Sequence, residues 1–406
     1  MEQYTGILGI IVLLSISFLL SNNRSLVDKN IIIWGLGLQF SFAFIILKTS
    51  FGEKLFFYFN IFIVKLISFA DAGSDFLFTS FIPEIGYDQA LVNFAFRALP
   101  VIIFFSSLIA VTYHLGIIQF VIKNISLLME KTMKTSGAET LSISANIFIG
   151  QTEAPILIRP YISLMTKSEL MAVMVGGFAT VAGSVMALYV TWLNNIPGIA
   201  GHLLAASVMS APAALMVAKI IYPENKQLKT IKPDKISLKS NDNNIVDAVG
   251  RGATEGLKLA ANVAAMLIAF ISMVAMINFA LGLLGTSMQE ILGLLFKPLA
   301  WTMGIPWKDA EIVGVLLGEK IVLTELIAFR DLSDYVAKNI LSERSIIITS
   351  YALCGFANFG SIGIQLGGIG SMAPERKKDL SRIVFKAMIG GAIASWLTAS
   401  IVGIII

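Results

Sequence analysis

A chain of 406 residues that is 56% apolar and only 14% charged, against about 25% charged in an ordinary soluble domain, is no soluble globule and reads as a polytopic membrane protein. Its net charge of +4 comes from Lys and Arg gathered in a few loops rather than spread over one face, which argues against a nucleic-acid partner. A single cysteine, Cys354, and two histidines, His114 and His202, exclude an internal disulfide and any Cys- or His-rich metal centre; both histidines read as packing or interfacial residues.

No basic segment precedes the apolar run 7–20 and no small-x-small pattern follows it, so it is expected to remain as a first span. Arg24 and Lys29 follow, and the cytoplasmic bias of basic residues puts that loop inside and the N-terminus outside. Residues 31–47 cross back. Residues 51–82 mix aromatics with Lys54, Lys65, Asp71 and Asp75 around Ala72-Gly73-Ser74, the pattern of a helix lying at the interface and then a turn that leaves both aspartates solvated. The stretch 91–122 is too long for an upright span and is expected to tilt, with Arg97 reaching the surface. Lys123, Lys131 and Lys134 mark the next cytoplasmic loop.

Residues 139–160 have basic residues on both sides (Lys134; Arg159 and Lys167) around a polar centre, Gly150-Gln151-Thr152-Glu153-Ala154-Pro155. Both ends therefore lie on one side, and the segment is expected to be a re-entrant hairpin with Thr152 as N-cap of its returning leg and Glu153 and Pro155 in the first turn. A span at 168–192 is interrupted at Gly176-Gly177 and Gly183, turns at Asn194–Gly198 and returns over 203–222. Five lysines at 226, 229, 232, 235 and 239 make the following stretch the cytoplasmic linker between two halves. Residues 257–284 cross outward, 285–307 read as an outer interfacial helix and turn, and 310–332 form a second hairpin carrying Glu325, entered from outside. The segment 346–370 is broken at Gly355, Gly360 and Gly363, and Arg376, Lys377, Lys378 and Arg382 hold its end inside before a last span, 383–406, leaves the C-terminus outside.

The two halves echo each other. Gly177-Phe178-Ala179-Thr180-Val181-Ala182-Gly183-Ser184 follows Glu153, and Gly355-Phe356-Ala357-Asn358-Phe359-Gly360-Ser361 follows Glu325, the same phrase one residue shorter. Opposite entry sides make the repeat inverted, and paired interrupted segments in such a repeat point to a transporter's substrate site. A carboxylate at membrane depth costs about 2.5–3.5 kcal/mol on insertion scales, so Glu153 and Glu325 read as functional. Gln151, Thr152, Glu153, Glu325, Asn358 and Ser361 offer two carboxylates, two amides and two hydroxyls without an arginine fork, which suits an uncharged solute rich in hydroxyl and amide-like edges. Asn146, Thr180 and carbonyls freed at a helix break supply the hard oxygens that a coupling cation needs.

Gly150 to Pro155 followed by Arg159-Pro160, Gly177-Phe178-Ala179, the phrase from Gly318-x-Lys320 to Glu325, and Cys354-Gly355-Phe356-Ala357-Asn358 together resemble the concentrative nucleoside transporter family over nearly the whole chain. The resemblance implies an all-α fold of eight transmembrane helices plus two re-entrant hairpins, and sodium-driven nucleoside uptake by a homotrimer in a bacterial inner membrane. Residues 1–125 and 247–307 would be mainly scaffold, 135–222 and 308–406 the elevator-like transport domain, and 223–246 the linker. It also implies that Gln151, Thr152, Glu153 and Val185 approach the base, that Glu325, Asn358 and Ser361 hold the ribose, and that Leu259 and Phe356 are apolar neighbours of the base. Sodium would lie at Asn146, Ile149, Thr180 and Val181, the second and fourth through their carbonyls. The family phrase Gly-x-Lys-x-x-x-Asn-Glu-Phe is altered here: Thr324 stands for its asparagine and Leu326 for its phenylalanine. A proton in place of sodium, carried by Glu153 or Glu325, is the alternative coupling. An intramembrane hydrolase is the remote one, disfavoured because the two glutamates lie on opposite hairpins among amides and no Ser/His constellation accompanies them; the chain is expected not to be an enzyme.

Overall fold

The computed structural model describes residues 2–79, 93–225 and 242–406, and these form an all-helical protein. The linker lysines, residues 80–82 at the end of the interfacial segment, and 91–92 at the start of the tilted span fall outside the described residues. Helices α1 (Glu2–Leu19) and α2 (Lys29–Lys48) are apolar rods; Asp28 caps α2 by accepting from Asn30 N. Thr49 ends α2 and starts α3 (Ser50–Phe78), its hydroxyl accepting from Gly52 N at 3.0 Å.

Two expectations fail in this region. First, α3 runs straight through Ala72-Gly73-Ser74 instead of turning there, because that part of the helix is held from outside: Ser74 Oγ donates to Phe96 O, and Asp75 pairs with Arg97 at 2.8 Å, with Asp71 at 3.8 Å. The aspartates are thus not simply solvated, and Arg97 is held between them rather than reaching out alone. Second, 91–122 is not one tilted helix. A π-helical turn, Phe94–Ala98, leads into α4 (Leu99–His114), and Gly116, at φ +82°, breaks the chain before α5 (Ile117–Met133). Only glycine holds that left-handed conformation at no steric cost.

The first hairpin consists of α6 (Gly137–Ala145), a turn, a 3-10 turn Ala154–Ile158 and α7 (Arg159–Ile162). Then come α8 (Lys167–Ala179), α9 (Gly183–Trp192) and α10 (Ile199–Ile221). Capping boxes start α6 (Ser136/Glu139) and α8 (Thr166/Glu169), so these two glutamates serve helix ends. Helix α11 (Ile245–Gly282) has 38 residues, about 57 Å at 1.5 Å per residue, so it begins well before the expected residue 257. Gly252 and Gly256 let it lie against the α4 backbone, where a Cβ would come within 2.6 Å of Ser107 and 2.7 Å of Ile103. Helix α12 (Met288–Thr302) packs on α13 (Ala310–Val322), which pairs with α14 (Glu325–Ala337) as the second hairpin. Helices α15 (Glu343–Leu353), α16 (Phe359–Met372) and α17 (Lys377–Ile405) complete the chain.

The core is formed by α8 and α10, nearly all of whose residues are buried, and by the buried C-terminal part of α17, with α1, α2 and α15 packed around them. Among the described residues seven helical stretches are long and apolar enough to cross a membrane, and α1 is a shorter apolar one. The eight expected spans fall on α1, α2, α4, α8/α9, α10, α11, α15/α16 and α17; α3 too is long and apolar enough to cross a membrane. The breaks are narrower than the glycines suggested. Helix α8 continues through Gly176-Gly177 and stops only at Thr180, and α16 contains Gly360 and Gly363, leaving Cys354 to Asn358 as the break. The two breaks lie back to back. Phe356 N donates to Thr180 O at 3.3 Å, and Gly355 has φ +146° with its Cα so close to α8 that a Cβ would lie 2.9 Å from Phe178 O and Ala179 O.

Candidate functional site

Hairpin tips and helix breaks converge because each exposes unpaired backbone groups that only short polar side chains can satisfy. At the second hairpin Thr324 caps α14, its hydroxyl accepting from Leu326 N at 3.3 Å. Glu325 is thereby fixed in the first turn and is buried. Its carboxylate accepts from Asn358 Nδ2 at 2.7 Å and from Tyr189 OH at 3.1 Å, and the Tyr189 ring stacks on Phe329 with centroids 4.2 Å apart. Asn358 in turn caps α16: its Oδ1 accepts from Ser361 N at 2.8 Å. Ser361 Oγ accepts from Gln151 Nε2 at 3.1 Å, which reaches the tip of the first hairpin. One continuous chain of hydrogen bonds therefore runs from the second hairpin through the start of α16 to the first.

The remaining expected residues are less tightly joined. Val185 is buried on α9, Phe356 is half-buried in the break, and Leu259 is half-buried on α11. Thr152 is half-buried and does not cap the returning leg. That leg starts as a 3-10 turn with Glu153 in helical conformation at the cap position, while the Thr152 methyl lies against Gly368. Glu153 stays outside the chain of bonds: its carboxylate turns back onto its own tip, accepting from Gly150 N at 2.6 Å, and its side chain is exposed. Lys320 is fully buried but, among the described residues, forms no ion pair with Glu319 or another acid; its Nζ donates to Ala352 O at 2.8 Å and Ser395 Oγ at 2.7 Å. His202 is a packing residue, its Nδ1 3.1 Å from Tyr351 OH.

The first hairpin and the α8/α9 break also meet. Gly183 N donates to Phe148 O at 3.0 Å, which brings the turn holding Asn146 and Ile149 beside Thr180 and Val181, all buried. Asn146 Nδ2 donates to Ser142 O at 3.1 Å, whereas its buried Oδ1 has no hydrogen-bond partner among the described residues. Thr180 Oγ1 spends its proton on Gly176 O at 3.0 Å and keeps its lone pairs. An orphaned amide oxygen, a hydroxyl and carbonyls at a helix break form a neutral, hard-oxygen set that suits a monovalent cation. Among the described residues no three His, Cys, Asp or Glu gather as a metal centre.

Two residues of this region were not singled out from the sequence. Tyr189 left no signal, since an aromatic in an apolar helix is ordinary. Gln365 left one: it is a lone amide in an apolar segment, four residues after Ser361 and hence on the same helical face.

Family models described as "Na+ dependent nucleoside transporter N-terminus", "Nucleoside recognition" and "Na+ dependent nucleoside transporter C-terminus" match residues 8–81, 95–195 and 202–403. Sodium/nucleoside cotransporter 1 of Mus musculus is 42% identical over 428 residues, covering 100% of this chain and 64% of the relative, so the chain spans under two thirds of that protein's length. The uncharacterized transporter YutK of Bacillus subtilis is 40% identical with 100% of both chains covered. Among solved structures, CNTnw in an inward-facing substrate-bound state matches with a TM-score of 0.92 at 38% identity, covering 99% of this chain and 98% of the other; a CNTnw variant in an outward-facing state matches with a TM-score of 0.90. With the hairpins, the paired breaks and matches along its whole length, this chain belongs to the sodium-dependent, concentrative nucleoside transporter family.

Proposed function

We propose that the chain is a secondary active symporter that imports nucleosides on a sodium gradient by alternating access. The observation carrying this reading is the hydrogen-bonded chain Tyr189–Glu325–Asn358–Ser361–Gln151, which ties two re-entrant tips to one helix start with groups that match a ribose and a base edge. In this reading Glu325, Asn358 and Ser361 hold the ribose hydroxyls, and Gln151, Thr152, Glu153 and Val185 face the base, with Leu259 and Phe356 beside it. A nucleoside bound there would engage the groups that Gln151 and Ser361 turn to each other.

Sodium is the co-substrate, held by Asn146 Oδ1, Thr180 Oγ1 and the carbonyls of Ile149 and Val181. The orphaned Asn146 oxygen favours a cation here over a proton taken up by Glu153 or Glu325, since an amide does not titrate near neutrality. A cation at this spot would pin the first hairpin to the α8/α9 break, and so order the tip that reads the base. Residues 135–222 and 308–406 move as the elevator-like transport domain against a scaffold of 1–125 and 247–307. The apolar flank of α11, with Ile268, Met273, Met276 and Phe279 exposed, supports contacts with lipid and with neighbours in a homotrimer. The setting is a bacterial inner membrane, with both termini outside.

Uptake of radiolabelled uridine into proteoliposomes at fixed pH tests the reading. A sodium gradient is expected to accumulate uridine several-fold above equilibration. Flux indifferent to sodium but driven by an acid exterior would replace sodium with a proton, and no saturable flux under either gradient would end the transport reading.

A further inference from the structure

Gln365 on α16 is 0% exposed and takes no part in the roles assigned above. Its Nε2 lies 3.1 Å from Met174 O on α8 and 3.0 Å from Oε1 of Gln151 at the hairpin tip. A backbone carbonyl only accepts, so the nitrogen of Gln365 and not its oxygen must face Met174. With one amide hydrogen spent there, the other is directed at Gln151, and the atom that receives it must be the Gln151 oxygen. Gln151 Nε2 is then left to donate; one of its hydrogens goes to Ser361 Oγ at 3.1 Å and the second meets no acceptor among the described residues. A single main-chain carbonyl on α8, relayed through Gln365, thus decides which edge of Gln151 is a donor.

Two further observations agree. Gln365 Oε1 has no hydrogen-bond partner among the described residues, and leaving a buried acceptor unsatisfied costs stability that an apolar side chain of equal length would avoid. The residue is therefore there for the two bonds of its nitrogen. Gly177, in the repeated GFA phrase, supplies the room: a Cβ there would lie 2.6 Å from Gln365 Nε2 and 3.1 Å from the Gln151 Cβ.

We propose that Gln365 is a positioning residue for base selectivity, locking the Gln151 amide with its nitrogen toward the solute so that the base must present an acceptor there. The proposal rests on the reading of Gln151 as a base contact. Uridine and cytidine share their ribose and differ on one base edge, where uridine offers an acceptor carbonyl beside an N–H donor and cytidine an amino donor beside a ring-nitrogen acceptor, so the ratio of their affinities for the purified full-length chain in saturating sodium reports how that edge is read, independently of the ribose.

In Gln365→Met, which keeps the length and loses both donors, the amide is free to turn, and the preference for uridine over cytidine is expected to fall at least fivefold. Gly177→Ala, whose Cβ would crowd the Gln365 amide at 2.6 Å and, less closely, the Gln151 Cβ at 3.1 Å, is expected to lower the preference as well and keeps the proposal testable should the first variant not fold. In a Gln151→Ala background Gln365→Met is expected to leave the ratio where Gln151→Ala alone put it, because Gln365 acts through Gln151. A ratio within twofold of wild type in either folded variant, or equal effects of Gln365→Met with and without Gln151, would overturn the proposal. A wild-type chain that binds neither nucleoside would instead remove the transport reading, and this proposal with it.

Discussion

Replacing Glu325 by glutamine separates the charge of the site from its architecture. The amide can keep both neighbours, its oxygen accepting from Asn358 Nδ2 and its nitrogen donating to the Tyr189 hydroxyl oxygen, where the carboxylate now sits at 2.7 and 3.1 Å. The fold should therefore tolerate the change. What disappears is a charged acceptor for ribose hydroxyls. Hydrogen bonds to charged groups contribute about 1.5–3 kcal/mol and neutral ones about 0.5–1.5, so two such bonds lose roughly 2–3 kcal/mol, or about 30- to 150-fold in uridine affinity. Ser361→Ala removes one neutral hydroxyl and should weaken binding by less, about fivefold. Titration calorimetry on purified protein at fixed sodium, with thermal melts alongside, measures both. A Glu325→Gln affinity within threefold of wild type at an unchanged melting temperature would refute the assignment of Glu325 to the ribose.

Three other outcomes are expected. Asn146→Ala should raise the sodium concentration that half-saturates uridine binding at least tenfold; an unmoved midpoint would exclude Asn146 from the ion site. Lys219 Nζ lies 2.7 Å from Glu139 Oε2 with both side chains buried, so Lys219→Met strands a carboxylate at a cost of about 3–5 kcal/mol. The double change with Glu139→Gln should recover much of the lost denaturation midpoint, and a double variant as unstable as the single one would contradict the pairing. Burial opposes ionisation of Asp309, but hydrogen bonds from Ser342 and Ser345, with Lys308 nearby, hold its carboxyl below the usual range. Because its folded pKa is depressed, its contribution to stability is present above the ordinary carboxylate pKa and fades as pH falls through the depressed value. The stability gap between wild type and Asp309→Asn should therefore be full at pH 6 and shrink below about pH 4, which melts across pH will follow.

The hairpins were legible because Gly150–Pro155 and Thr324–Glu325 are polar islands in apolar sequence. The breaks were only half legible. Glycine marked them, yet Gly176, Gly177, Gly360 and Gly363 lie inside helices, and of the glycines at the second break only Gly355 combines a positive φ with a backbone contact. A glycine chosen for packing and one chosen for its backbone conformation look alike in sequence. Thr152 shows the reverse error: a good N-cap residue in the right place, overridden because the returning leg begins one residue later as a tighter turn.

The hairpins, the repeat and most of the spans were legible in the sequence alone, because the cost of placing polar groups in lipid acts residue by residue and leaves its mark in local composition and charge. Tertiary structure alone decided that Glu153 turns back on Gly150, that Tyr189 holds Glu325 and that Gln365 holds Gln151. Those bonds join residues as much as 214 positions apart, and a hydrogen bond depends on where two atoms end up, which no local pattern encodes.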